Sequence, residues 1–443
     1  MQQKTKKTSQ QSKKNINTEE LKNTILSQEE KKQYYSSKFE KIEARVKENL
    51  KNQNTDEALK DITIGAMVVG SSDIHYELFE KDVRVRFRID GILVDIFDLT
   101  QKEYKGILER LKYSAGLKLN ILDIPQDGKY NVKIDEEKKV DIRVSTLPTK
   151  YGENTVCRIL DSGKTIIDFS DLGFFWTSER MIQKIIHKKT GLVLVTGPTG
   201  SGKTTTLYTM LSKLNTRDKK IITLEDPIEY ELPGIIQSEV KEKNGFSFET
   251  GLKAILRQDP DIIMVGEIRD FETLMTATNA SLTGHLVLST LHTKSAAETL
   301  DRILSMGLKP YLMAAALDTI IAQRLVRRIC PHCKKEKEKT IEEVAIISGM
   351  MEEIGMKSLG TDNIKLYEGI GCEHCNNSGY LGRVGLYEII SLNENIRNIM
   401  RSGGTSEDII REARNGDLIT MKEDGILKAI QGHTTIEEIL RVI

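Results

Sequence analysis

The chain has 443 residues, its 65 basic and 65 acidic side chains cancel, and aromatic residues make up only 5% of it. This neutral balance excludes the strongly basic field that dominates nonspecific nucleic-acid binding, and no stretch approaches the roughly 18 consecutive apolar residues that span a bilayer. The length exceeds one compact core and implies two or three lobes at about 100 to 200 residues each.

Residues 1–59 are rich in Lys, Gln, Asn, Ser and Glu and are read as a charged, largely disordered or helical segment. Met1 to Lys14 is polar and basic and lacks the apolar centre of a signal peptide, so a cytoplasmic protein is expected. Between Thr18 and Leu59, scattered Ile, Leu, Phe and Val suggest a weakly amphipathic helix.

Residues 60–164 turn to short strands. Val83 to Ile89 alternates basic and apolar residues as a half-buried strand does, and the turn Asp90-Gly91 before Ile92-Leu93-Val94 predicts a hairpin. A helix near Lys102 to Ala115 and a strand over Val140 to Ser145 complete an α+β domain whose arginines face one way. Cys157, in the strand-like run Thr155 to Leu160, reads as a small buried hydrophobe.

Over residues 165–329, apolar strands alternate with helical patterns, which predicts an α/β domain with a mostly parallel sheet. Its strand Leu192 to Val195 enters Gly197-Pro198-Thr199-Gly200-Ser201-Gly202-Lys203-Thr204. In such a loop, glycines let successive N–H groups curl around phosphate oxygens, Lys203 meets the β and γ phosphates, and the Thr204 hydroxyl can ligate Mg²⁺. ATP is the expected nucleotide.

Two further strands end in acids. Ile221 to Glu229 closes on Glu225 and its neighbours, and Ile262 to Glu267 resembles a Walker B segment with Gly266 where many nucleotidases carry the Mg²⁺-binding Asp. Which glutamate activates water stays open. The run Gly284 to His292 brackets an apolar strand with His285 and His292, both read as candidates for sensing the γ-phosphate.

Cys330, Cys333, Cys372 and Cys375 form two C-x-x-C pairs separated by roughly 38 residues, a donor set for a closed structural Zn²⁺ site in a cytosolic chain. His332 or His374 could replace a cysteine, and a redox dithiol is the alternative. The zinc-binding subdomain is placed at 330–385 and a helical subdomain at 386–443.

The order of these segments resembles the secretion-superfamily motor ATPases, and within them the GspE and PilB ATPases of type II secretion and type IV pilus assembly. The likeness is carried by the phosphate loop, Thr223 to Glu229, Leu256 to Asp261, Gly266 to Asp270 and Gly284 to Thr293, with Arg86 to Gly91, Gln126-Asp127-Gly128, Asp141 to Pro148, Ala322-Gln323-Arg324-Leu325 and Gly379 to Arg383 outside the core. The resemblance implies a RecA-like core with a smaller α+β domain before it, working as a homohexamer that drives pilin or pseudopilin assembly through an inner-membrane platform protein. It also implies peripheral membrane association through partners, without direct nucleic-acid contact. It makes Arg143 and Arg158 the best candidates for closing over the phosphates, with Arg86, Arg88 and Arg257 weaker. The four cysteines favour assembly over retraction. The rival readings are a DNA-translocating or conjugation-type ATPase and a nonhydrolysing nucleotide-gated scaffold.

Overall fold

The computed structural model describes residues 39–133, 139–160, 168–175, 177–353, 364–416 and 418–443. The chain divides into two units, Met1–Gly163 and Lys164–Ile443.

In the first unit, helices α1 (Phe39–Lys51), α2 (Thr55–Val68) and α3 (Gln101–Ser114) accompany strands β1 (Ser71–Leu78), β2 (Asp82–Ile89), β3 (Ile92–Thr100), β4 (Gln126–Lys133), β5 (Lys139–Thr149) and β6 (Gly152–Leu160). The strands form an antiparallel sheet in the order β3-β2-β1-β6-β5-β4. The β2–β3 turn is the hairpin expected, since Asp90 and Gly91 both take positive φ, 48° and 87°, which matches the twist of the flanking strands. One sheet face is apolar: Ile74, Val85, Phe87, Val144 and Cys157 are buried together with Ile62, Ile107 and Leu111 of the helices. Burial also pushes the Cys157 thiol well up, which leaves it an inert packing group.

The boundary expected at residue 60 falls inside α2, and α1 before it already belongs to this core through Ile42 and Val46. The weakly amphipathic helix expected here thus docks into the core, because one apolar stripe at i, i+4 suffices for docking. The two helices approach so closely that a Cβ on Gly65 would lie 2.9 Å from Ile42, so glycine is needed there. The part of the expected tail that precedes Phe39 lies outside the described residues.

The second unit carries α4 (Phe169–Leu172) and α5 (Thr177–Ile186), then β7 (Gly191–Thr196), α6 (Lys203–Leu214), β8 (Ile221–Glu225) and β9 (Ile236–Glu239). There follow α7 (Phe248–Ile255), β10 (Ile262–Val265), α8 (Phe271–Leu282), β11 (Leu286–Leu291), α9 (Ala296–Ser305), α10 (Pro310–Ala316) and β12 (Leu317–Ile329). Its sheet runs β15-β12-β7-β11-β10-β8-β9, parallel throughout except for β15 (Tyr380–Ser391), which lies antiparallel on β12. Both faces are covered: Leu192 and Leu194 enter one apolar cluster, while Val193 and Val195 enter another that holds Leu207 and Leu211 of α6.

Between β12 and β15 the chain makes an excursion with a two-stranded ribbon, β13 (Lys334–Lys337) with β14 (Leu366–Gly369), and helix α11 (Ile341–Glu353). Helices α12 (Glu394–Arg401), α13 (Ser406–Arg414), α14 (Met421–Ile430) and α15 (Ile436–Val442) end the chain, and Ile396, Ile409, Ile426 and Ile439 anchor them in the larger cluster. This is the expected α/β class with the α+β unit before it, but the boundary expected between 385 and 386 falls inside β15, a strand of the main sheet, and the helices after it share the larger core cluster.

Candidate nucleotide site and metal centre

The loop between β7 and α6 owes its shape to its glycines. Gly197, Gly200 and Gly202 take φ of 151°, 78° and 88°, and Gly202 caps α6 in the left-handed region. Lys203 opens the helix, is 9% exposed, and donates to the carbonyls of Gly197 at 2.8 Å and Pro198 at 3.0 Å. Burial lowers its pKa, and the charge of Glu267 opposes that shift, so the two side chains share one electrostatic site. The Ser201 hydroxyl is buried without a hydrogen-bond partner. An inward hydroxyl, a loop free of Cβ atoms at three positions and a helix N-terminus together suit a triphosphate. Thr204 follows Lys203 in the first turn, half-buried, as a Mg²⁺-ligating hydroxyl requires.

Because β7, β8, β10 and β11 run parallel, their carboxyl ends share one edge, where open α/β sheets take their ligands. Glu225 ends β8 there, 3% exposed and wrapped in donors: Thr223 Oγ1 at 2.5 Å, Gln237 Nε2 at 3.1 Å, and the Tyr208 hydroxyl. Burial and the neighbouring carboxylate push the Tyr208 phenol well up, so it stays a donor.

Glu267 stands just beyond β10. Arg269 Nη2 donates to its carboxylate at 2.6 Å, and His292 Nε2, beyond the end of β11, lies 3.3 Å away. Arg269 also reaches Asp226 at 3.5 Å. Burial draws Glu267 toward the neutral acid, but Arg269 and then His292 outweigh it and hold the carboxyl below its ordinary value. Gly266 has a steric cause, since a Cβ there would lie 3.3 Å from the Leu224 carbonyl and 3.4 Å from Glu225 Cα. An Asp side chain would press on the backbone of β8.

Two candidates belong elsewhere. His285 precedes β11 and its Nδ1 pairs with the Ala280 carbonyl at 3.0 Å. The six-residue strand therefore sets it about 20 Å from the phosphate-loop edge. Alternation along the strand could not reveal which histidine sits at which edge. Arg257 is exposed in the short turn before β10, beside Gln258, whose carbonyl accepts from Lys220 at the start of β8, so it too lies at the amino edge of the strands.

Arg143 and Arg158 belong to the first unit, on the sheet face opposite its helices. The register places Arg88, Asp73, Arg158, Arg143 and Lys129 side by side across β2, β1, β6, β5 and β4, and residues directly opposite share a face. Arg158 Nε donates to Asp73 at 2.8 Å and Arg88 lies 3.6 Å from the same carboxylate. Burial would raise the pKa of Asp73, yet the bond from Arg158 and its charge bring it below normal. Arg86 pairs with Glu77 and Asp95 on the same face. The arginines do face one way, interleaved with acids.

The four cysteine sulfurs lie within 4.8 Å of one another, at the point where β12 ends and β15 begins. The separations are 3.8 Å for Cys330–Cys372, 3.8 Å for Cys333–Cys375 and 3.7 Å for Cys372–Cys375. Thiolates at the corners of a tetrahedron about Zn²⁺ stand about 3.8 Å apart, so the set fits zinc. The rings of His332 and His374 stack at 3.9 Å, outside the sulfur cluster.

Tyr208, Gln237, Arg269 and Gln323 take part in the site without having been singled out in the sequence. Arg269 and Gln323 stand inside segments that carry the family likeness, whereas nothing local marks Tyr208, whose partner is on another element.

Residues 48–441 match the family model described as Type II/IV secretion system protein. The chain is 43% identical over 379 residues to the Type IV pilus assembly ATPase PilB of Myxococcus xanthus, covering 86% of this chain and 66% of that one. It is 43% identical over 372 residues to the Type II secretion system protein E of Aeromonas hydrophila, covering 84% and 72%. It therefore spans just under two thirds of the length of the PilB relative. Among solved structures, that of the pilus retraction motor PilT with bound ADP is 28% identical at a TM-score of 0.57, covering 86% of this chain and 95% of the other. The Legionella pneumophila ATPase DotB, 22% identical at a TM-score of 0.62, covers 86% and 94% and shares the fold.

Proposed function

Since the chain belongs to the Type II/IV secretion system protein family, we propose that it is a motor ATPase that drives pilin or pseudopilin assembly from the cytoplasmic face of the membrane. The observation that carries the chemistry is a loop shaped for phosphates, closed by the buried Lys203, at the sheet edge where the β10 strand runs out into Glu267.

Backbone N–H groups of Thr199 to Thr204 and the Lys203 ammonium would bind the phosphates, and the Thr204 hydroxyl would hold Mg²⁺, which when bound neutralises phosphate charge. Glu267, kept ionised by Arg269 and His292, orients the attacking water and takes its proton as the bond between the β-bridging oxygen and the γ-phosphorus breaks. Buried Glu225 braces this edge through Tyr208, Thr223 and Gln237. In this reading Arg143 and Arg158 are the arginines assigned to neutralising charge that develops in phosphoryl transfer.

The four cysteines hold a structural Zn²⁺ that closes the excursion between β12 and β15. The motor works as a homohexamer against an inner-membrane platform protein. No helix among the described residues is long and apolar enough to cross a membrane, which fits attachment through partners. The relatives named for assembly and secretion, together with the cysteine cluster, favour assembly over retraction.

The test joins two readouts on wild type and Lys203→Ala: Mg²⁺-dependent ATP turnover by the purified proteins, and surface fibres counted in the host after gene replacement. Wild-type turnover with loss of both turnover and fibres in the variant supports the reading. Near-normal turnover in Lys203→Ala would sink the site assignment. Unchanged fibres alongside lost turnover would move the machine to a secretion or competence pseudopilus. Stimulation by DNA would favour the translocase.

A further inference from the structure

We propose that Gln323 is a positioning residue that sets the phosphate loop in its binding shape, a role resting on the nucleotide reading above. Gln323 lies on β12 and is 1% exposed. Its strand neighbour Ala322 pairs with Thr196, the last residue of β7, so the Gln323 amide stands level with the start of the loop. There it bridges two elements: Nε2 donates to the Ser201 carbonyl at 2.8 Å, and Oε1 accepts from Thr206 Oγ1 of α6 at 2.8 Å.

Two of the loop's glycines lie against this residue. A Cβ on Gly197 would come within 2.4 Å of the Gln323 carbonyl oxygen, and one on Gly202 within 2.9 Å of its amide nitrogen. The loop is therefore seated on Gln323 at its start, at Ser201 and Gly202, and in the first turn of the helix.

The consequence for binding follows from peptide geometry. In a trans peptide the C=O and the next N–H point to opposite sides. Holding the Ser201 carbonyl inward against β12 turns the Gly202 N–H outward, toward the side where an anion is cradled. Thr206 fixes which end of the amide faces the loop, because its hydroxyl claims the oxygen. Gln323 touches no phosphate itself and acts through the Ser201–Gly202 peptide.

A carboxylate at this position carries a distinctive signature. In Gln323→Glu the neutral acid still donates to the Ser201 carbonyl, whereas the ionised form sets two oxygens against each other. Lowering the pH protonates the acid, so it restores the bond. The experiment measures ADP affinity of wild type, Gln323→Leu and Gln323→Glu at pH 8 and pH 6, with ATP turnover, melting temperature and zinc content alongside.

Gln323→Leu is expected to bind ADP about tenfold more weakly at both pH values, the loss of a buried hydrogen-bonded tether. Gln323→Glu is expected to match that deficit at pH 8 and recover several-fold relative to wild type at pH 6. Wild-type affinity in Gln323→Leu, or a Gln323→Glu deficit that does not change with pH, overturns the proposal while leaving the ATPase reading intact. If the wild type itself neither binds ADP nor turns over ATP, both fall. Should the Gln323 variants not fold, Thr206→Val, which preserves shape, decides: affinity about threefold weaker supports the role, and unchanged affinity removes it.

Discussion

The hydroxyl of Tyr208, five residues into the helix that Lys203 opens, donates to the buried carboxylate of Glu225 at the end of β8. One side chain thus ties the phosphate-binding helix to the acidic edge of the sheet. Removing the hydroxyl in Tyr208→Phe strips a charged acceptor of a donor, at a cost of about 1.5–3 kcal/mol. The expected result is a melting temperature lower by about 4 °C with ATP turnover several-fold down. Turnover unchanged at wild-type stability would show that Glu225 is held by Thr223 and Gln237 alone.

Arg269 governs the charge of Glu267. With Arg269 2.6 Å away, the Glu267 carboxyl sits below its ordinary value of 4.5 and stays ionised from mild acid upward. In Arg269→Gln only His292 is left to oppose burial, so the carboxyl pKa rises relative to wild type and the acid form persists to higher pH. The acid limb of kcat against pH is expected to move upward in this variant. A limb in the wild-type position would mean that another group controls it.

Metal content tests the cysteine cluster. Four sulfurs within 4.8 Å of one another, three pairs of them 3.7–3.8 Å apart, fit one Zn²⁺ per chain, and Cys372→Ser removes one ligand of four. Elemental analysis is expected to find about one zinc in wild type and a large loss in the variant, with a lower melting temperature as the β12–β15 excursion loosens. A full zinc complement in Cys372→Ser would refute the ligand assignment.

The first-unit core makes a prediction about α1. Ile42 is 1% exposed against α2, so Ile42→Ala is expected to destabilise that unit by about 2–5 kcal/mol, read as a lower denaturant midpoint and faster proteolysis near α1. Wild-type resistance would mean that α1 does not dock in solution.

Much of the site could be read from residue order because its chemistry is local. The phosphate loop, the Asp90-Gly91 hairpin and the paired cysteines each lie in a few consecutive residues whose backbone demands are nearly independent of the rest of the chain. The docking of helix α1 was harder to read than the helix itself, since its buried stripe is diluted by charges on its other faces. His285 and His292 look alike in sequence, yet strand direction sends only His292 to Glu267. Gly266 departs from the Walker B pattern for a reason that becomes visible only when β8 lies against it.

By itself, then, the sequence determined the phosphate loop, the four-cysteine set and the family, because these depend on short-range spacing and side-chain chemistry. Tertiary structure alone decided which acid is buried and which pairs with Arg269, which histidine reaches Glu267, and that Gln323 seats the loop. Those outcomes depend on contacts between residues far apart in the chain, such as Gln323 with Ser201 and Tyr208 with Glu225, which sheet order and strand direction bring together.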